Sequence, residues 1–196
     1  MNPKLYLQMG RASVDVKLTK QRIRTTILMK LKTQKEENRN KKSCFIKNKL
    51  FRNRVFKKAK TVMFYLSIGG EVDTVDMIKA AQKLGKTVVV PVCGRNRMMR
   101  PCVLKDKGAL QRGPYGIREP ALKKPVNLKS LDLVVVPALA FDKKGRRLGR
   151  GKGYYDRFLP RISRHSVAIG LAYDFQILPF IPTTKYDVDV HKVIFA

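Results

Sequence analysis

Arg146, Arg147, Arg150 and Lys152 alternate with Gly145, Gly149, Gly151 and Gly153 inside the stretch Asp142–Phe158. Glycines let a backbone take positive φ and bring several amides to one ligand, and the cations beside them supply positive charge. That combination suits phosphate. A helix is expected to open at Tyr154, and its amino-terminal dipole would favour the same anion. Between Lys143 and Phe158 the one carboxylate is Asp156, which suits a magnesium ion accompanying a nucleotide. Taken alone, such a loop has a second reading as a solvated basic turn. Within this stretch no Gly-Lys pair is followed by Ser or Thr and no Gly-x-Gly-x-x-Gly heads a helix, so it carries neither common nucleotide-binding pattern.

The elements that must position this loop follow from periodicity. Leu131–Phe141 is apolar, valine-rich and too short for a membrane span, so it reads as a buried strand delivering the loop to one sheet edge. Thr61–Leu66 reads as another strand, ending in a turn where Gly69 and Gly70 present Glu71 at the strand's carboxyl end, where open α/β sheets bind ligands. The plain alternative is a turn with an exposed acid. Thr74–Leu84 has a helical pattern with Val75, Ile78 and Leu84 inward, and Lys86–Val92 is the next strand, which predicts parallel pairing. Met98–Leu104 is a further short strand with Met98 and Met99 as packing residues. A helix to about Ile162 and a buried strand over Ser166–Tyr173 follow the glycine loop.

Upstream, Ile23, Ile27, Leu28 and Leu31 mark a helix over Lys17–Lys32 that carries Lys20 and Arg24 one turn apart. By residue type alone that pair reads as a solvated basic face. Thr33-Gln-Lys-Glu36 has the form of a capping box, predicting a second helix toward Phe51. Strands alternating with helices make the expected fold a three-layer α/β arrangement, an open and mostly parallel sheet with helices on both faces. Residues 1–16 are expected to be an extension and residues 17–196 one domain.

Length favours one domain, and ordinary hydrophobic content excludes a disordered chain. The charge is unusual: 43 Lys and Arg against 14 Asp and Glu give +29, and residues 1–60 hold nineteen bases and three acids. Such a balance attracts polyanions without selecting among them. Cys44, Cys93 and Cys102 are odd in number and form no Cys-x-x-Cys pattern, which argues against a disulfide framework and a zinc site. With no secretory signal and no apolar run near the roughly 20 residues of a spanning helix, the expected location is the cytoplasm, with no membrane partner.

Pro137-Ala-Leu-Ala-Phe-Asp142 followed by Arg147-Leu-Gly-Arg-Gly-Lys-Gly-Tyr-Tyr-Asp156 resembles the signature of the 5-formyltetrahydrofolate cyclo-ligase family, also called 5,10-methenyltetrahydrofolate synthetases. Lys20-Gln-Arg-Ile-Arg24, Gly70-Glu-Val-Asp-Thr74 and Gly116-Ile-Arg-Glu-Pro120 are similar to further family segments in the same order. The resemblance implies a Rossmann-like fold and an ATP- and magnesium-dependent closure of 5-formyltetrahydrofolate to 5,10-methenyltetrahydrofolate through a phosphorylated imidate, releasing ADP and phosphate. It implies ATP contacts from Lys20, Gln21, Arg22, Ile23 and Arg24 and from Arg147, Leu148, Gly149, Arg150, Gly151, Lys152, Gly153, Tyr154 and Tyr155. It implies folate contacts from Leu66, Glu71 and Tyr115, with Arg150 to Tyr154 shared, and magnesium at Asp156. A carboxylate such as Glu71 can accept two hydrogen bonds from a pterin.

The tail departs from the family pattern, which has His-Asp and a second Asp four residues further. Alignment on Asp187 puts Tyr186 at the His and His191 at the second, metal-assisting Asp. Imidazole is a poor ligand for a hard cation, which leaves Asp189 or water as substitutes and an ordinary surface histidine as the other reading of His191. The basic surface is compatible with a polyglutamate tail on the folate, and a monomer is expected. The competing class is a basic nucleic-acid-binding protein that keeps the fold without the reaction, supported by the charge and the altered tail. Basic helices without interleaved aromatics argue for that class only weakly.

Overall fold

The computed structural model describes residues 15–94, 98–105, 110–112, 118–121 and 123–196. Apart from Asp15 and Val16, the amino-terminal extension lies outside the described residues. Asp15 caps the first helix, its carboxylate accepting from the amides of Lys17 at 2.8 Å and Leu18 at 3.1 Å. The helix α1 it opens, Val16–Thr33, buries Ile27 and Leu31 and leaves Leu28 38 % exposed. The helices α2 (Glu36–Arg52) and α3 (Arg54–Lys58) follow. The expected capping box at Thr33 does not form. Thr33 lies in the last turn of α1, where its hydroxyl bonds back to Met29 and Lys30 carbonyls, and Lys35 precedes α2 without a side-chain cap.

The chain then runs through β1 (Thr61–Met63), α4 (Val75–Lys83), β2 (Thr87–Cys93) and β3 (Met99–Val103). Beyond these come β4 (Leu110–Arg112), β5 (Arg118–Pro120), β6 (Leu133–Val136), β7 (Ala140–Asp142) and β8 (Arg147–Leu148). The last elements are α5 (Tyr154–Phe158), β9 (Val167–Ala172), β10 (Ile177–Leu178) and β11 (Lys192–Phe195). The main sheet has the order β11-β9-β6-β1-β2-β3, parallel throughout except that β3 pairs antiparallel with β2 at one edge. The apolar run expected as one strand divides: β6 stays in the main sheet, while β7 turns off at Pro137 and pairs with β8 and β10 in a second, small sheet.

Alternation along the buried strands makes the layers. Val62, Val88, Val90, Leu133, Val135, Ile169 and Leu171 face a cluster with Ile27, Leu31, Ile46, Leu50 and Met77 from the helices α1, α2 and α4. Met63, Val89, Val134, Val136 and Ala168 face the other way onto Phe158 and Leu159. The result is the expected three-layer α/β fold with helices on both faces. In α4 the inward set differs from the expected one: Met77, Ile78 and Ala81 are buried, whereas Val75 is 43 % and Leu84 62 % exposed. Val75 and Leu84 sit at the helix ends, where the chain enters and leaves over the surface. No described helix is long and apolar enough to cross a membrane.

Candidate functional site

The parallel strands of the main sheet end at one rim, and a cavity of about 500 Å³ opens there. Its floor comes from the residues just beyond or at the strand ends: Tyr65 and Leu66 after β1, Cys93 at the end of β2, Pro137 and Ala138 after β6. Its cover is the loop Arg147–Gly153 and the start of α5, with Arg24 of α1 and Asp187 of the tail closing the sides. This is the carboxyl edge of an open sheet, where ligands of α/β proteins bind.

The loop is held from behind. The buried Asp142 carboxylate accepts from the amides of Lys144 at 2.9 Å and Arg146 at 3.1 Å and pairs with the Arg146 side chain at 2.6 Å, which builds the β7–β8 turn. Gly145 has φ +86°, and a Cβ there would run into the Val190 carbonyl. Gly151 and Gly153 also have positive φ, but Gly149 does not, contrary to the expectation for all four. The helix after the loop is also shorter than expected. α5 has five residues and passes into a 3-10 turn over Leu159–Arg161, so its dipole adds little beside the charged side chains.

Three ion pairs cross the cavity wall. Arg150 places Nε at 3.1 Å and Nη2 at 2.9 Å from Glu71 Oε1, joining two loops far apart in sequence. Lys20 Nζ lies 2.6 Å from Asp187 Oδ2, and Arg147 Nη2 lies 2.8 Å from Asp156 Oδ1. Glu71 is 9 % exposed, so burial raises its pKa, while Arg150 and the Ile68 amide only partly offset that. For Asp187 the balance is reversed. Burial pushes it up, but the hydrogen bonds from Lys20 and Thr184 together carry it below the ordinary range.

Two polar atoms in this wall have no partner among the described residues: Arg147 Nε and the Tyr155 hydroxyl, both buried. Burial holds the Tyr155 phenol protonated, reinforced by Glu71 and Cys93 and opposed by Arg147. Both atoms therefore offer donors to a bound molecule. Burial also raises the Cys93 thiol, with Glu119 adding to it and a Tyr154 hydrogen bond opposing. A protonated thiol is a poor nucleophile, so nothing here suggests covalent catalysis by Cys93.

Arg147 to Asp156 all line the cavity, as do Leu66, Glu71 and Arg24. Lys20 reaches it through Asp187, and Gln21 accepts from Arg24 Nη1 at 3.5 Å. Arg22 is exposed away from the cavity, and Ile23 packs against the core. Tyr115 lies outside the described residues. His191 is not brought to Asp156: it is exposed, its Nδ1 accepts from the Ala168 amide at 2.9 Å, and it serves the start of β9 as a surface residue. Asp189 is exposed and does not line the cavity either. Asp187 does line it, although in the sequence that residue serves only to align the tail. Pro91, Cys93 and Met99 also line it, yet only their positions on β2 and β3 reveal this. Among the described residues no three His, Cys, Asp or Glu side chains form a metal cage.

An α/β fold with a cation-rich glycine loop beside a buried acid has the chemistry to suit an anionic ligand that also carries N–H donors. The comparisons narrow that class. The model of the 5-formyltetrahydrofolate cyclo-ligase family matches residues 16–196, and the chain belongs to that family. The mouse 5-formyltetrahydrofolate cyclo-ligase is 30 % identical over 196 residues, covering 94 % of this chain and 97 % of the relative. The Haemophilus influenzae enzyme of the same name is 33 % identical, covering 70 % of this chain and 76 % of its own. The NMR structure of Aquifex aeolicus 5,10-methenyltetrahydrofolate synthetase matches with a TM-score of 0.80 at 33 % identity, over 90 % of this chain and 89 % of that one.

Proposed function

We propose that the chain closes 5-formyltetrahydrofolate to 5,10-methenyltetrahydrofolate at the expense of ATP. The observation that carries this reading is the convergence of the glycine loop and Glu71 on one cavity, with Arg150 bonded to Glu71 across it. In the reaction the formyl oxygen attacks the γ-phosphorus and ADP leaves. N10 then attacks the resulting imidate carbon, loses its proton, and inorganic phosphate departs with the C–O electron pair.

No nucleophile from the protein is needed, so the side chains act by placement and charge. Arg147, Arg150 and Lys152, with the loop amides from Leu148 to Tyr155, bind the phosphates and offset charge as it moves to the leaving oxygens. Lys20 and Arg24 support the nucleotide from α1. Arg24 does so through its hydrogen bond to the Gly149 carbonyl at 3.1 Å. Glu71 orients the pterin by accepting from its amino and ring N–H groups, which requires Arg150 to leave that carboxylate for phosphate. Leu66 and Tyr154 flank the folate.

The donor set fits magnesium, since this ion is usually held by one or two carboxylates and substrate phosphates rather than by a protein cage. Asp156 and Asp187, which share the cavity, are the residues that would hold it. When bound, the ion would neutralise charge on the β- and γ-phosphate oxygens. The cationic surface suits a polyglutamate extension of the folate.

Purified protein mixed with 5-formyltetrahydrofolate, magnesium and ATP should develop the near-ultraviolet absorbance of methenyltetrahydrofolate, and should not do so without ATP. Folded protein that binds ATP but gives no absorbance would overturn the reading.

A further inference from the structure

A second set of groups gathers where α2 meets the edge strand β11, away from the cavity. Between Glu37 and Glu71 the chain has ten lysines and arginines and no acid. Lys49, Arg52 and Asn53 at the end of α2 and Lys192–Phe195 of β11 line a groove of about 400 Å³ that shares no residue with the catalytic cavity. No acidic side chain lines it. Two carboxylates are paired with other lysines, Glu37 of α2 with Lys41 at 2.6 Å and Asp174 with Lys42 at 2.8 Å.

By residue type this segment reads mainly as charge; the fold shows which of its aromatic rings stay exposed. Phe45 is 52 % and Phe195 42 % exposed, although Ile46 and Leu50 on the inward side of the same helix are completely buried. Lys49 Nζ stands between the two rings, 4.6 Å from the Phe45 centroid and 5.8 Å from that of Phe195. The same ammonium donates to the Phe195 carbonyl at 2.9 Å, which anchors the end of the chain on α2. Two half-exposed rings around a cation, with Arg52 and Lys192 alongside, are a surface that the core does not require.

We propose that this α2–β11 face binds single-stranded nucleic acid, with phosphates on Lys49, Arg52 and Lys192 and bases stacked on Phe45 and Phe195. The charge matches a polyphosphate backbone, and exposed rings among cations are how sequence-tolerant single-strand binders hold their bases. A duplex keeps its base faces hidden in its own stack, so it could use the cations but not the rings. An anionic membrane would need a continuous apolar face, whereas here cations separate the two rings. The binding would exist beside the catalytic activity, on a separate surface.

Fluorescence anisotropy of fluorescein-labelled oligouridylate and oligothymidylate of about 20 nucleotides tests this, with a duplex of equal length as comparison. Both single strands should bind the full-length protein more tightly than the duplex. Three phosphate contacts predict a log–log salt slope of about −2 between about 50 and 200 mM salt. Phe45→Ala and Phe195→Ala should each weaken binding about tenfold, and Lys49→Ala should make the slope shallower by about 0.7. The cyclisation rate should stay unchanged in these variants, and an unaltered far-ultraviolet circular dichroism spectrum at the assay temperature checks their folding. The proposal fails if the double phenylalanine variant binds like the parent, if the duplex binds as tightly as the single strands, or if phosphatidylserine vesicles capture the protein while oligouridylate does not. Displacement of the oligonucleotide by ATP would put the binding in the catalytic cavity and equally overturn it.

Discussion

Arg150 has two partners to serve, and in the structure without ligand it serves Glu71. The 9 % exposed carboxylate depends on that guanidinium, since burial favours its protonated form. By residue type an exposed loop arginine should affect turnover and little else. Its pairing changes that expectation, because Arg150→Ala strands a buried carboxylate. We expect Arg150→Ala to lower unfolding free energy by about 1–3 kcal/mol as well as cutting the cyclisation rate. Adding Glu71→Gln should restore most of the stability and none of the activity. Urea unfolding of the two variants checks this, and identical midpoints would show that the pair carries no stability.

The β7–β8 turn shows the same dependence at the scale of an element. Gly145 donates to the Asp142 carbonyl at 3.1 Å, and its own carbonyl accepts from the Val190 amide at 2.9 Å, so the turn is clasped to the tail that carries Asp187. A Cβ at Gly145 meets both a positive φ and the Val190 backbone, whereas a Cβ at Gly149 meets nothing within 4 Å. Gly145→Ala should therefore destabilise the protein by about 1–3 kcal/mol. Gly149→Ala should change its stability by less than about 0.5 kcal/mol. Thermal unfolding separates the two, and equal losses would mean that the clasp to the tail is not what Gly145 provides.

Charge acts on the whole molecule. With +29 on 196 residues, self-repulsion opposes compaction, and the bases between Asn38 and Lys60 concentrate it on α2 and α3. Screening should relieve that strain. Raising sodium chloride from about 0.05 to 0.5 M should lift the thermal midpoint by about 3 °C or more, the equivalent of roughly 1 kcal/mol in a chain of this size. A midpoint that stays level or falls would show that the ion pairs lost to screening outweigh the repulsion removed.

The sequence by itself determined several main-sheet strands and the first helix, because a buried strand or an amphipathic helix carries its period in its own residues: Thr87–Cys93, Leu133–Val136 and Val16–Thr33 all lie within or close to their expected spans. It also marked out the glycine loop through adjacent residues, and that loop lines the cavity. Where a feature depends on what lies across space, local pattern was silent or misleading. Thr33 carried a capping signal, yet the end of α1 took its hydroxyl. His191 stood at a metal-assisting position by alignment, yet the register of β11 against β9 directs it to the Ala168 amide. The Arg150–Glu71 pair, the place of Asp187 in the cavity wall and the two rings around Lys49 join residues distant in sequence. Only the tertiary structure decided these, because side chains meet through the packing of whole elements, and no local period encodes which partner arrives.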